Sequence, residues 1–159
     1  MGKLSKEKLD EFLKETKILA KLATVTPEGE PYVVPVWYEW NGEEVYIVSK
    51  PAANFVKHLK FNPKAALCVE NQVPPYVRVL VQGIVEIRDA DHDWLPLGYR
   101  MARRFLGEIE GDRYIEKTKN WKRVLLTLKP ARIISWDGGK EGHEWHRKTI
   151  DVTEEEGAV

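Results

Sequence analysis

The residue types best suited to hold a ligand lie between Ser49 and Lys57. Ser49-Lys50-Pro51-Ala52-Ala53-Asn54-Phe55-Val56-Lys57 brings a hydroxyl, two cations, an amide and a helix start into one short stretch. A phosphate group wants those partners: lysine or arginine, hydroxyl donors and helix N-terminal amides. A flat apolar ring with a polar edge wants an apolar wall and backbone donors and acceptors. Val33 to Trp37 and Val48 can supply such a wall.

Other chemistries find little support. The single cysteine, Cys68, allows no intramolecular disulfide and no cysteine-based zinc site. It sits in Ala65-Ala66-Leu67-Cys68-Val69 and reads as a small buried hydrophobe. His143 and His146, with Glu144 between them, could touch one metal, but the stretch reads as a solvated tail and no metal site is expected. There is no G-x-G-x-x-G after a strand, no P-loop and no G-x-S-x-G elbow. Arg100, Arg103 and Arg104 form a basic helix face, expected to be solvated or to attract an anionic substrate. No residue stands out as a catalytic acid or base.

Lys+Arg and Asp+Glu are both 25, so the formal charge is zero. That argues against nucleic-acid or membrane-surface binding. Met1 to Lys17 is charged throughout, and no apolar run nears the roughly 18 residues of a membrane span. A soluble, cytoplasmic protein is expected. Abundant Lys and Glu with Gln only at Gln72 and Gln82 is a thermophile-like composition.

The elements that must position these residues follow from pattern. Ser5 can cap a first helix with Leu9, Phe12 and Leu13 on one face and a Leu4–Leu9 staple. Strands are expected at Ile18–Thr26, Pro31–Trp40 and Glu44–Ser49, with Pro27-Glu28-Gly29-Glu30 and Asn41-Gly42 as turns. Pro35 predicts a bulge or an edge. Ala52–Phe61 reads as a short helix ended by Asn62-Pro63, with Phe55, Val56 and Leu59 facing the core. Lys64–Glu70 is a strand, and Tyr76–Arg88 is the clearest one, with Val77, Val79, Val81, Val85 and Ile87 alternating. Gly83 predicts a bulge or a close approach there. Helices follow at Asp91–Leu106 and Asp112–Asn120, then a long strand at Val124–Trp136, bent at Pro130. The expected fold is mainly β (α+β): an antiparallel six-stranded split β-barrel with peripheral helices. Residues 1–150 form one domain and residues 151–159 an acidic, frayed tail.

The order of these pieces resembles the pyridoxamine 5'-phosphate oxidase-like FMN-binding split-barrel family. Leu22-Ala23-Thr24-Val25-Thr26 with its turn resembles the family's opening strand, and Val33-Val34-Pro35-Val36-Trp37-Tyr38 its second. Val45-Tyr46-Ile47-Val48-Ser49, the helix ending Leu59-Lys60-Phe61-Asn62-Pro63, and Val79-Leu80-Val81-Gln82-Gly83-Ile84-Val85-Glu86 follow in the family's order. The resemblance implies an FMN-dependent oxidoreductase, a homodimer with flavin between two barrels and a small-molecule substrate. It implies that Val33, Val34, Pro35, Val36, Trp37 and Val48 lie along the ring. It also implies that Ser49, Lys50, Asn54 and Lys57 hold the phosphate and that Arg78 reaches the flavin. Where the family carries a small hydroxyl residue and two basic residues, this chain reads Ala53, Phe55 and Lys57, or Asn54 and Phe55 under the pairing for the true oxidases, so two phosphate contacts are missing. The family's pyridoxal phosphate-binding C-terminal pattern is absent too, so that oxidase activity is not expected. A deazaflavin-dependent reductase and a non-catalytic flavin- or haem-binding module are the alternatives.

Overall fold

A computed structural model of the chain describes residues 3–91 and 93–138. The first helix, α1 (Lys6–Glu15), starts where Ser5 predicts: the Lys8 amide donates to Ser5 Oγ at 3.3 Å. Leu4, Leu9 and Leu13 are buried, so the staple forms. Trp40 Nε1 donates to Asp10 at 2.7 Å and ties the helix to the sheet.

Seven strands and three further helices follow: β1 (Ala20–Val25), β2 (Pro31–Val36), β3 (Glu39–Trp40), β4 (Val45–Ser49), α2 (Asn54–Phe61), β5 (Lys64–Glu70), β6 (Val77–Asp89), α3 (Leu95–Leu106), α4 (Glu108–Thr118) and β7 (Val124–Asp137). Their order in the sheet is β2-β1-β5-β6-β7-β4-β3, and every pairing is antiparallel. The mainly β, α+β class holds, with seven strands where six are expected. The extra strand comes from the expected Pro31–Trp40 run. Its first part pairs with β1 and its last two residues pair with β4, so the chain crosses between sheet edges at Trp37-Tyr38. Pro35 lies on edge strand β2, where a missing N–H costs no ladder bond.

Asn41-Gly42 joins β3 to β4. Asn41 Oδ1 accepts from the amides of Glu43 and Glu44 at 2.8 and 2.7 Å, and Gly42 has φ +106°. The β6–β7 ladder shifts register between Gln82 and Gly83, with Gly83 opposite Pro130. A Cβ on Gly83 would lie 1.9 Å from the Lys129 carbonyl oxygen, so the expected bulge and the expected close approach coincide.

The apolar residues form two clusters. One fills the barrel with Leu22, Tyr38, Ile47, Leu67, Val79 and Leu126 among others. The second packs α3 and α4 onto the outside through Trp94, Leu97, Met101, Ile115 and Leu125, with Trp37, Tyr46 and Val48 against it. Strand β4 therefore serves both: Val45 and Ile47 face inward, Tyr46 and Val48 face the helices. Each fully buried aliphatic side chain contributes about 1.5–3 kcal/mol. No described helix is long and apolar enough to cross a membrane.

Candidate functional site

The crossing at Trp37-Tyr38 leaves a groove beside the sheet edge. It has a volume of about 400 Å³ and is lined by Pro35, Val36, Trp37, Ile47, Val48, Phe55, Leu106 and Tyr114. Trp37 is held rigidly. It stacks on Phe105 with ring centroids 5.7 Å apart at 10°, and meets Tyr114 edge-on at 5.3 Å and 66°.

Of the expected ring wall, Pro35, Val36, Trp37 and Val48 share this groove. Val33 and Val34 do not line it. Strand alternation turns Val33 onto the outer sheet face, where it is 62% exposed, and turns Val34 toward the barrel core.

The expected phosphate residues flank the groove on the β4–α2 connection. Ser49 is buried and its hydroxyl donates to the Lys50 carbonyl at 3.3 Å. Lys50 is exposed, with Nζ 4.8 Å from the Trp121 ring centroid. Asn54 and Lys57 are exposed in the first helical turn of α2. The N-cap, Ala53, makes no side-chain capping bond. That turn therefore presents its amides without a local side chain over them.

Arg78 sits elsewhere. It pairs with Trp136 near one end of the β6–β7 ladder, its guanidinium 5.7 Å from that indole. Ser49 pairs with Val124, which pairs with Asp89 at the other end. The strand path from Arg78 to Asp89 is about 36 Å at roughly 3.3 Å per residue. One chain alone does not bring Arg78 to the groove. Arg78 does share the outer sheet face with Pro35. Pro35, Lys21, Cys68, Leu80 and Ile134 form one row across it, and Val33, Ala23, Ala66, Gln82 and Arg132 the next. Cys68 is thus half-buried on that face rather than in the core. Burial, then the neighbouring Glu70 charge, push its thiol pKa up, so it is a poor nucleophile.

The basic helix face is not an anion site. Arg100 grips Glu39 with Nε and Nη2, at 3.0 and 2.6 Å, and Arg103 grips Asp112 at 2.6 and 3.0 Å. Arg104 lies over Tyr38 and Phe105 at 4.5 and 4.7 Å and donates to the Thr16 carbonyl at 3.0 Å. His143, Glu144, His146 and residues 151–159 lie outside the described residues.

Leu106 and Tyr114 were not among the expected site residues. Their signal is that both are apolar or aromatic yet fall outside the buried stripes of their helices. Leu106 is 44% exposed and Tyr114 36%. In α3 the buried stripe is Leu97, Gly98, Met101 and Ala102; in α4 it is Gly111, Ile115 and Thr118.

The fold is a split antiparallel barrel with a helical cover and an apolar groove at the split. The sequence profile of the pyridoxamine 5'-phosphate oxidase family matches residues 5–137, and the chain belongs to that family. A conserved hypothetical protein from Mycobacterium tuberculosis superposes with TM-score 0.74 and 24% identity, over 87% of this chain and 88% of that one. An F420 reductase superposes with TM-score 0.61 and 26% identity, over 77% and 94%. The haem storage protein HutZ from Vibrio cholerae gives 0.63 and 17%, over 82% and 94%. No curated protein matches the sequence.

Proposed function

We propose that the chain is an oxidoreductase that holds a flavin-type three-ring cofactor against the Pro35–Trp37 and Val48 wall, as a homodimer. The observation that carries this reading is the groove itself. Its side chains are apolar or aromatic, with polar atoms only on Trp37 and Tyr114, and Trp37 is locked between two rings. Its volume of about 400 Å³ is within the range of small-cofactor sites. The uncapped α2 start with Lys50 and Lys57 beside it fits the cofactor's phosphate.

Two cofactors have such a ring. FMN ends in a phosphate monoester, close to a dianion at neutral pH. A deazaflavin of the F420 type carries a phosphodiester, a monoanion at the phosphate itself, with its further carboxylates on a tail beyond it. The α2 start offers Lys57 and no hydroxyl cap, and the Ser49 hydroxyl is already engaged. That thin supply suits the monoanion better. The likeness to an F420 reductase supports the same choice. FMN is the second reading, favoured by the expected Ser49–Lys57 cluster and the family. Tyr114 is the one side chain of the groove lining that could ligate haem iron.

When bound, the ring supplies hydride-transfer chemistry. The chain's own part is positional. Trp37 and Val48 present a flat, dry wall, and Leu106 and Tyr114 close its outer rim. Lys50 and Lys57 attract the anionic end. The Tyr114 hydroxyl can donate a hydrogen bond at the groove mouth. The outer sheet face, with Val33, Ile84 and Ile134 exposed, is the surface for a second copy. That docking would set Arg78 of the second copy near the Pro35 end of the first. The test is a parallel absorbance titration of the purified chain with FMN and F420. Saturable binding with F420 at least about tenfold tighter is expected; if neither binds nor raises the melting temperature, the reading fails.

A further inference from the structure

On the far side of Lys50 lies a second pocket, of about 510 Å³, where the ends of β4, β6 and β7 meet. Arg123, the residue before β7, lines it and is only 7% exposed. Its guanidinium lies 5.2 Å from the Trp94 ring centroid and 5.3 Å from that of Trp121. Its Nε is buried without a hydrogen-bond partner among the described residues. Indole faces attract the charge of a guanidinium. They do not satisfy its N–H groups, and a buried cation is ordinarily paired. Lys122 lines the same pocket, and Lys50 Nζ stands 4.8 Å from the Trp121 ring. Two cations, Arg123 and Lys50, therefore flank one indole, and Lys122 adds a third positive charge to the pocket lining. Asp89 and Asp91 stand exposed at the rim. They would repel a bare anion, but they accept hydrogen bonds from hydroxyl groups.

We infer that this pocket binds a phosphate ester of a polyhydroxylated carbon chain or sugar. The phosphate meets Arg123 and Lys122, and the neighbouring hydroxyls meet Asp89 or Asp91. The inference does not depend on the three-ring cofactor. The cofactor's phosphate is assigned to the α2 start beside Lys57, so the occupant of this pocket is a separate sugar phosphate.

The test is a fluorescence titration of the full chain at constant ionic strength, since Trp94 and Trp121 flank Arg123. Ribose 5-phosphate is expected to give a saturable change, inorganic phosphate a weaker one and ribose none. Arg123→Gln removes the response. Lys122→Gln weakens it about fivefold. Asp91→Asn weakens ribose 5-phosphate and tightens inorganic phosphate. Far-UV circular dichroism checks the fold of Arg123→Gln, and the two exposed-site variants carry the test if it does not fold. Repeating the titration on FMN-saturated protein assigns the occupant. Unchanged binding identifies a separate sugar phosphate and supports the site; competition shows the pocket to be part of the cofactor's own site and overturns the inference. No saturable change up to about 10 mM, or a response that Lys122→Gln and Asp91→Asn leave unaltered, overturns it.

Discussion

Gly83→Ala should be among the most damaging single-methyl changes in this chain. The added Cβ would sit 1.9 Å from the Lys129 carbonyl oxygen and 2.8 Å from its carbonyl carbon. That is about 1.5 Å short of an ordinary contact, and the obstacle is backbone. Relief requires β7 to move away from β6 at the bulge. That loosens about two ladder hydrogen bonds at roughly 1 kcal/mol each and adds about 1–3 kcal/mol of overpacking. The smaller unfolded-state entropy of alanine offsets about 0.5–1 kcal/mol. The net loss is about 3 kcal/mol, or roughly 6–12 °C in melting temperature for a chain of this size. Urea and thermal unfolding should be measured beside Gly29→Ala. Gly29 has φ +89° and open space around it, so alanine there costs only the left-handed backbone, about 1 kcal/mol. Should Gly83→Ala cost less than Gly29→Ala, the close approach of β6 and β7 does not constrain the barrel as argued.

Three further outcomes are expected. Lys57→Gln should weaken FMN about tenfold and leave riboflavin unchanged, measured by fluorescence titration, because the lost partner faces only the phosphate. Leu106→Asp should lower affinity for both ring cofactors about tenfold or more, with little change in melting temperature, since Leu106 is an exposed rim residue. Tyr38→Phe should alter alkaline stability. Burial pushes the Tyr38 phenol up to about 12, with the Arg104 charge lowering it only in part. The folded protein then holds this proton between pH 10 and 12 while the unfolded chain releases it, so stability is full below pH 10 and falls as pH rises to 12. The fall is at most about 2–3 kcal/mol, and Tyr38→Phe should remove it in urea melts across that window. At neutral pH the variant should lose at most about 1 kcal/mol, because among the described residues the buried Tyr38 hydroxyl meets the Arg104 guanidinium without a well-formed hydrogen bond.

Local signals carried most of the fold. The valine alternation from Val77, the Asn41-Gly42 turn and the Ser5 cap each act through near neighbours, and each appears where the pattern places it. The break in Pro31–Trp40 was not legible. Tyr38 and Trp37 are apolar in a run of apolar residues, and only the two pairings of the chain, with β1 and then β4, separate them. The site was half legible for the same reason. Pro35, Val36, Trp37 and Val48 are near in sequence to the β4–α2 turn, whereas Leu106, Tyr114 and Arg123 arrive through α3, α4 and β7. The basic triplet Arg100, Arg103 and Arg104 misleads because its partners, Glu39, Asp112 and the Thr16 carbonyl, come from other segments.

In the proposed complex one ring lies in the groove at the split of the barrel, completed by a second copy. A crystal structure of the chain grown with F420, or with FMN, tests it most directly. Ring density is expected against Pro35, Val36, Trp37 and Val48, with an anionic tail leaving toward Lys50 and Lys57 and Arg78 of a second copy at the rim. Density on another face, or a ring held wholly by one chain with Arg78 remote, would contradict it.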